Sequence, residues 1–193
     1  MSTKYILVGG HPYKAVDGGK GFCEELARGF AEPIKILLWL FARPRDNWEI
    51  AFNQDRDAFT NNLSDKKLEF ELADPENFTE QVKWADAIYI RGGSAEDYVL
   101  DLFRKNSNWI KELDGKTLAG SSAGADIISK YYYDLDNLKF NEGLGLLPIK
   151  VLVHYQSDYN APNIDWDKSY EELKNYKEDL PITTLKEGEY KIF

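Results

Sequence analysis

A serine lies between small residues in the segment Gly120-Ser121-Ser122-Ala123-Gly124. A short apolar run precedes this segment and a predicted helix follows it, so the pattern indicates a tight strand-to-helix turn. Such a turn exposes its central side chain and tolerates only small neighbours, because its backbone is strained. Ser122 is therefore a candidate nucleophile, and the N–H of Ala123 is a candidate donor to a developing oxyanion. The alternative is a plain small-residue turn that packs a helix onto a sheet.

A serine nucleophile needs a base within hydrogen-bonding distance, and the chain has two histidines. His154 ends the apolar run 151–153, which places it at the carboxyl end of a predicted strand, on the same edge as Ser122. His11 follows the first predicted strand and could lie on that edge too. A third residue should orient the histidine. Composition does not choose among the candidate acids, which are Asp134, Asp136 and Glu187.

Gly92 and Gly93 end another apolar run. A Gly-Gly turn lets backbone N–H groups approach a ligand closely, so it is a candidate for the second oxyanion donor, with a plain turn as the alternative. The phosphate-loop pattern fails, because Lys14 stands where its first glycine should be. One cysteine, Cys23, and two histidines give no structural zinc site. We therefore expect neither a metal nor an organic cofactor.

The elements that must position these residues alternate along the chain. Short apolar runs predict strands and amphipathic stretches predict helices. The predicted strands are 5–8, 34–41, 68–72, 87–90, 117–120, 149–154, 182–185 and 190–193, the predicted helices are 22–30, 48–63, 74–84, 96–103, 123–130 and 169–176, and the predicted loops include 131–137 and 159–167. This order is typical of a three-layer α/β/α sandwich with a mostly parallel, flavodoxin-like sheet, whose ligands bind at the carboxyl ends of the strands.

The composition of the chain limits the classes of binding partner and the cellular compartment that we expect. A chain of 193 residues fits one α/β domain over 1–193. The net charge of −9 disfavours binding to nucleic acid or to an anionic membrane. The first apolar run, 5–8, is too short for a signal peptide or a membrane span. We expect a cytoplasmic protein, either a monomer or a homodimer, without a disulfide within the chain.

Three segments in this order resemble the aspartyl dipeptidase (peptidase E) and cyanophycinase family of serine peptidases, which has a class I glutamine amidotransferase-like fold. They are Tyr89-Ile90-Arg91-Gly92-Gly93, Gly120-Ser121-Ser122-Ala123-Gly124-Ala125, and 143–148 leading to Val153-His154. The resemblance implies that Ser122 is the nucleophile, His154 the base and Glu187 the acid, with Gly93 and Ala123 at the oxyanion. In dipeptidase members an aspartate between serine and histidine also matters, and Asp134 is nearest to it.

Two departures from the family pattern bear on specificity. Members often have Asn after Gly-Gly, where this chain has Ser94, a candidate substrate-binding residue. No arginine follows His154, although an arginine there would be the natural partner of an aspartyl carboxylate. We therefore expect a dipeptidase-like serine peptidase that hydrolyses small peptides, with its side-chain specificity left open. The alternatives are an esterase-type α/β hydrolase, with the chain order Ser, acid, His, and a module that binds a ligand without turning it over.

Overall fold

The computed structural model describes residues 2–157 and 164–193, which form two sheets. The strands are β1 (Lys4–Val8), β2 (Ile34–Trp39), β3 (Leu68–Leu72), β4 (Ala87–Ile90), β5 (Thr117–Ser121), β6 (Tyr131–Asp134), β7 (Lys139–Glu142), β8 (Lys150–Leu152), β9 (Ile182–Thr184) and β10 (Tyr190–Ile192). The larger sheet has the order β10-β1-β5-β4-β2-β3, and all its pairings are parallel except β1 with β10. The smaller sheet has the order β7-β6-β8-β9.

Helices cover both faces of the larger sheet. They are α1 (Lys20–Ala27), α2 (Trp48–Asn62), α3 (Phe78–Trp84), α4 (Glu96–Lys105), α5 (Ala123–Ile128) and α6 (Trp166–Asn175), with short 3₁₀ turns at Pro12–Lys14, Arg45–Asn47 and Ser107–Leu113. Successive residues of β4 point to opposite faces. Ile88 and Ile90 pack with Trp39 and Phe103, whereas Tyr89 packs with Phe22 on the other face. The predicted fold class, a mostly parallel α/β sandwich, is confirmed.

The segment 131–137 is where the sequence prediction was wrong. Residues Tyr131–Asp134 form strand β6, which pairs with β7, a strand that the sequence prediction missed. The physical reason is burial: Tyr131, Tyr132 and Tyr133 are 4%, 1% and 8% exposed. Aromatic residues favour a pleated, half-buried surface, so three consecutive tyrosines form a strand here rather than a polar loop.

Several element boundaries also differ from the prediction. Helix α3 begins at Phe78 rather than at residue 74, because the Asp74 side chain accepts the N–H of Glu76 in a local turn. Of the predicted loop 159–167, residues 159–163 lie outside the described part of the chain. Trp166 already opens α6, since Asp165 caps that helix by accepting the N–H of Lys168. No helix within the described residues is long and apolar enough to cross a membrane.

Candidate active site

Ser122 occupies the turn between β5 and α5, with φ 52° and ψ −122°. Its N–H donates to the carbonyl of Val8 at 3.0 Å, which ties the turn to the end of β1. A Cβ at Gly120 would overlap the carbonyl of Gly124, and a Cβ at Gly124 would overlap the carbonyl of Ile90. Both glycines are therefore required by close backbone approach, and the strained turn holds the Ser122 side chain at the sheet edge.

His154 follows β8 and meets Ser122 at the same edge. Its backbone N–H donates to the carbonyl of Gly9 at 2.6 Å, and its φ is 52°. The ring nitrogen Nε2 lies 2.9 Å from Ser122 Oγ, and Nδ1 is hydrogen-bonded to Glu187 Oε1. The side chains of Ser122, His154 and Glu187 thus form one continuous chain of hydrogen bonds.

The loop after β1 holds the carboxylate of Glu187. Its Oε2 accepts the N–H of His11 at 3.1 Å, and Lys14 Nζ lies 3.8 Å away. A Cβ at Gly10 would overlap the carboxylate, so this position needs glycine for the acid to approach. His11 therefore contributes to the site through its backbone, by fixing the orientation of the acid.

Asp134, the other candidate acid, is engaged elsewhere. Its carboxylate accepts four hydrogen bonds, all within the turn and strands of the β6–β7 hairpin. The donors are the N–H groups of Asp136 and Asn137 and the side-chain amides of Asn137 and Asn141, at 2.9 to 3.1 Å. These bonds give Asp134 a structural role, because they close the turn of the β6–β7 hairpin.

The turn at Gly92 and Gly93 packs directly against the Ser122 turn. A Cβ at Gly92 would come within 2.7 Å of Ser122 Cβ, and one at Gly93 would overlap the carbonyl of Ala42. The Gly92 N–H points to Ser121 Oγ at 3.4 Å, and Ser121 in turn hydrogen-bonds the buried hydroxyl of Tyr89 at 2.8 Å. With Gly92 engaged in this way, Gly93 is the candidate oxyanion donor opposite Ala123.

Ser94 is not part of this arrangement. It is exposed and lines a neighbouring groove that also contains Trp48 and Tyr98, rather than the cleft beside Ser122. The structure therefore brings together Ser122, His154 and Glu187 with the Gly92-Gly93 turn, and it separates Ser94 from them.

The model of peptidase family S51 matches residues 48–190 of this chain, a span that contains Ser122, His154 and Glu187. The chain belongs to peptidase family S51. This membership supports the predicted class, a serine peptidase, and the predicted resemblance is confirmed.

Solved structures share this fold. A peptidase E protein from Listeria monocytogenes EGD-e superposes with a TM-score of 0.72 at 17% identity, covering 100% of this chain and 95% of that one. A peptidase from an acI-B1 Actinobacterium gives 0.66 at 22% identity, covering 100% and 84%. At these identities the likeness concerns the fold alone. No curated protein matches the sequence.

In this S51 chain the cleft on one side of Ser122 has a volume of about 180 Å³. Besides Ser122 and His154, its charged lining consists of the cations Lys14, Arg43 and Arg91 and the carboxylates Asp55 and Glu187, so that cations are in excess. We call it the basic cleft. The three cations follow β1, β2 and β4. They were not predicted from the sequence, because a substrate-binding cation was expected only after His154. Their positions just beyond strand carboxyl ends were the signal that could have found them.

Arg91 is held in the basic cleft by a buried ion pair. Its Nη1 lies 3.1 Å from the carboxylate of Asp55 on α2 and donates to the carbonyl of Ala51 at 3.0 Å. Burial raises the pKa of Asp55 to about 6, although the Arg91 charge opposes that shift. Because Arg91 immediately precedes Gly92, the pair fixes the strand end that carries the glycine turn.

A smaller cavity lies on the other side of Ser122, with a volume of about 10 Å³. It shares Gly93, Ser122 and His154 with the basic cleft, and its charged lining residues are Glu96, Asp126, Asp134 and Asp136. We call it the acidic cavity. The sequence analysis missed Glu96 and Asp126. Asp126 stands four residues after Ser122, one helical turn onward, which could have indicated its place beside the nucleophile.

Burial shapes the ionisation of both the base and the acidic cavity. It lowers the pKa of His154 below 6.5, and the hydrogen bond that His154 donates to the Glu187 carboxylate opposes that shift. His154 is therefore neutral at neutral pH, the state that a general base requires. Burial raises the pKa of Glu96 to about 7, and the charges of Asp134 and Asp136 add to the effect. Burial likewise raises the pKa of Asp126 well above its ordinary value.

Proposed function

We propose that this chain hydrolyses small peptides through a triad of Ser122, His154 and Glu187. The observation that carries the proposal is the continuous hydrogen-bonded chain from Glu187 through His154 to Ser122, with 2.9 Å between His154 Nε2 and Ser122 Oγ. A nucleophile bonded to a base, which is bonded to an orienting acid, is the arrangement that activates a serine hydroxyl.

In the proposed reaction Ser122 Oγ attacks the peptide carbonyl carbon while His154 Nε2 takes its proton. The N–H groups of Gly93 and Ala123 stabilise the negative charge that develops on the carbonyl oxygen. His154 then gives the proton to the departing amine as the C–N bond breaks, leaving an ester on Ser122. Water, activated by His154 in the same way, releases the acid and restores the hydroxyl.

The order of the proposed residues along the chain argues against the esterase alternative. In α/β hydrolases the acid comes between the serine and the histidine. Here the residue bonded to His154 Nδ1 is Glu187, which follows the histidine, whereas Asp134 bonds to its own hairpin. We therefore assign the acid role to Glu187.

The size and charge of the basic cleft favour small peptides with a negative group. Its volume of about 180 Å³ is below the roughly 300–1,000 Å³ of pockets that enclose drug-sized ligands. Its three cations, Lys14, Arg43 and Arg91, outnumber its two carboxylates, and this excess of positive charge would attract a carboxylate. A dipeptide carries such a group at its C-terminus, and an acidic residue carries one in its side chain, so dipeptidase-like specificity is our proposal.

The test combines a covalent probe with turnover. The protein is treated with a fluorophosphonate and, separately, with a panel of dipeptides, next to Ser122→Ala and His154→Ala. We expect labelling and hydrolysis in the native protein and loss of both in Ser122→Ala. Ser64→Ala, at an exposed serine, is the matched control and should behave as the native protein. Labelling that survives Ser122→Ala would contradict the nucleophile assignment.

A further inference from the structure

The groove that contains Ser94 lies beside the proposed active site, separate from the basic cleft and the acidic cavity. It is formed by the segment after β2 and the start of α4, and its volume is about 290 Å³. Its walls carry the aromatic side chains of Phe41, Trp48 and Tyr98, so we call it the aromatic groove. Among the described residues, neither Ser122 nor His154 lines it, so a group bound there lies beyond the reacting carbonyl.

The aromatic groove and the basic cleft meet at Arg43, which lines both. The two walls are in close contact there, since a Cβ at Gly93 would overlap the carbonyl of Ala42. Ser94 follows Gly93 directly, and consecutive Cα atoms are about 3.8 Å apart, so the groove begins one residue from the proposed oxyanion donor. One short ligand can therefore reach both spaces.

The aromatic walls differ in how firmly they are held. Trp48 Nε1 donates to the carbonyl of Arg43 at 2.9 Å, and the guanidinium of Arg45 lies 4.6 Å from the centre of the Trp48 ring. Trp48 is thus fixed in one orientation. Tyr98, on α4, lines the groove and is 51% exposed, so a ligand in the groove would remove apolar surface of this ring from water.

The charge and the size of the groove restrict the chemistry of a ligand. The charged residues that line it are Arg43 and Arg45, and no carboxylate of the described residues lines it, so a cationic group is disfavoured. An apolar cavity of about 150 Å³ is enough for benzene. The groove, at about 290 Å³, has room for one aromatic or large aliphatic side chain, and its rings favour contact with another ring.

A ligand that carries a carboxylate and an apolar side chain on one carbon atom matches this arrangement. Arg43 places a positive charge where the cleft and the groove meet, and the rings of Trp48 and Tyr98 line the groove beyond it. The C-terminal residue of a dipeptide has both groups on its α-carbon. In the proposed reaction that residue is the departing amine.

We propose that the aromatic groove binds the side chain of the C-terminal residue of a dipeptide and selects aromatic or large aliphatic residues there. This inference rests on the proposed peptidase function. Trp48 and Tyr98 are the specificity-determining residues, and Arg43 holds the terminal carboxylate at the boundary with the basic cleft. The leaving residue is thus selected by a surface that takes no part in the proton transfers.

The test compares dipeptides that differ only in their second residue, which is Phe, Ala, Lys or Glu. One series has Ala as its first residue and the other has Asp, because the preference should not depend on the first residue. The first measurement is kcat/KM for release of the free second residue. The second is calorimetric titration of the same peptides into Ser122→Ala, which measures binding without turnover.

We expect the phenylalanine peptides to be cleaved and bound roughly 10- to 100-fold better than the alanine peptides, as for burial of one large apolar side chain. The lysine peptides should gain nothing over the alanine peptides. Tyr98→Ala should reduce the phenylalanine-to-alanine ratio by roughly three- to tenfold, the usual range for one aromatic contact, and Tyr98→Phe should retain the ratio because the ring remains. In the binding measurement each change is combined with Ser122→Ala.

Tyr98 is the position to change, because Trp48 is 7% exposed and its loss would disturb the core. Ile50→Ala is the matched control, since it removes an exposed apolar side chain from α2 outside the groove and should keep the ratio. Thermal melting checks that each variant is folded.

The other outcomes are distinct. Equal constants for the phenylalanine and alanine peptides, or a ratio that Tyr98→Ala leaves unchanged, would overturn the inference while the nucleophile stands. A preference for the lysine or glutamate peptides over the phenylalanine peptides would contradict an apolar side chain in the groove. A dimer in sedimentation that Tyr98→Ala dissociates would assign the groove to a second copy of the chain and contradict the inference.

Two outcomes concern the proposed function. If the native protein hydrolysed no dipeptide while Ser122→Ala bound the phenylalanine peptides with the expected ratio, the proposed function alone would be contradicted. Absence of both hydrolysis and binding would contradict the proposed function and the inference together.

Discussion

The two flanks of Ser122 carry opposite charge. The basic cleft is lined by Lys14, Arg43 and Arg91 from loops of the larger sheet, whereas the acidic cavity is lined by carboxylates from α4, α5 and the β6–β7 hairpin. Candidate acids lie on both flanks, since Glu187 lines the cleft whereas Asp134 and Asp136 line the cavity. Charges of opposite sign on the two sides of one serine would attract groups of opposite charge, so the position of a bound ligand depends on how its own charges are arranged.

The largest difference between the flanks should appear when one carboxylate is neutralised on each. Glu187→Gln should lower kcat by roughly 10⁴-fold, because the amide no longer holds His154 in the tautomer that accepts the serine proton. Asp134→Asn should lower kcat by less than about tenfold, since its hydrogen bonds stay within its hairpin. The measurement is kcat with the best dipeptide found.

Each variant is the control for the other, because both exchange a carboxylate for an amide at the rim of the same site. Thermal melting should show a loss of stability mainly for Asp134→Asn, whose hairpin contacts change. A larger fall in kcat for Asp134→Asn than for Glu187→Gln would reverse the assignment of the acid.

A substitution at Gly93, which lines both the basic cleft and the acidic cavity, should cause the next largest loss of kcat. Gly93→Ala would force the turn away from the Ala42 carbonyl, which a Cβ would overlap, and so displace the proposed oxyanion donor. We expect kcat to fall by roughly 10²- to 10³-fold, the usual cost of losing one such donor.

The control for this variant is Gly21→Ala, in α1, where a Cβ would meet only side-chain atoms, the nearest at 3.0 Å. That variant should keep native turnover. If folded Gly93→Ala retained native kcat, the Gly92-Gly93 turn would have no part in stabilising the oxyanion.

The smallest expected effects are shifts in the pKa of His154, and they should be opposite in sign for substitutions on the two flanks. The charge of Lys14 lowers the pKa of His154 and that of Asp136 raises it, although burial is the main influence. His154 must be neutral to accept a proton, so kcat/KM should fall on the acid side with a midpoint below pH 6.5. Lys14→Met should move that midpoint up, and Asp136→Asn should move it down.

The measurement is the pH profile of kcat/KM at low ionic strength, where exposed charges are least screened. High salt is the control, because it should bring the two variant profiles together. Shifts of the same sign in both variants would mean that the flanks do not act on His154 through their charges.

The two parts of the molecule also differ in how much of their structure could be predicted from the sequence. The larger sheet follows from alternating apolar runs and helices. Ser122 and His154 could be placed on one sheet edge because each lies at or just beyond a strand end, whereas Glu187 was chosen among the candidate acids only through the family resemblance. The β6–β7 hairpin after α5 was not predicted, because the residues of β6 are all buried and therefore show no alternation of apolar and polar side chains. Tertiary packing decided that strand, and sequence periodicity does not contain it.

The charged residues that line the cleft and the cavity were harder to predict than the proposed triad. Glu96 joins the lining beside Ser122 only through the packing of α4, whereas Asp126 and Arg43 had a signal in the sequence, one in its spacing from Ser122 and the other in its place after β2. In a chain with 33 acidic residues, nothing in composition separates a buried carboxylate from a solvated one. The buried ion pair of Asp55 and Arg91 could not be predicted either, because their contact depends on how α2 lies against β4.

The hydrogen bond from the His11 N–H to Glu187 joins residues 176 positions apart, and the end of β1 also receives the N–H groups of Ser122 and His154. Translation therefore produces the serine turn well before the acid that completes its hydrogen-bonded chain. A nascent polypeptide whose synthesis has not reached residue 187 contains Ser122 and His154 without the carboxylate that bonds to His154 Nδ1. The order of synthesis thus delays assembly of the site until the polypeptide is nearly able to close its larger sheet with β10.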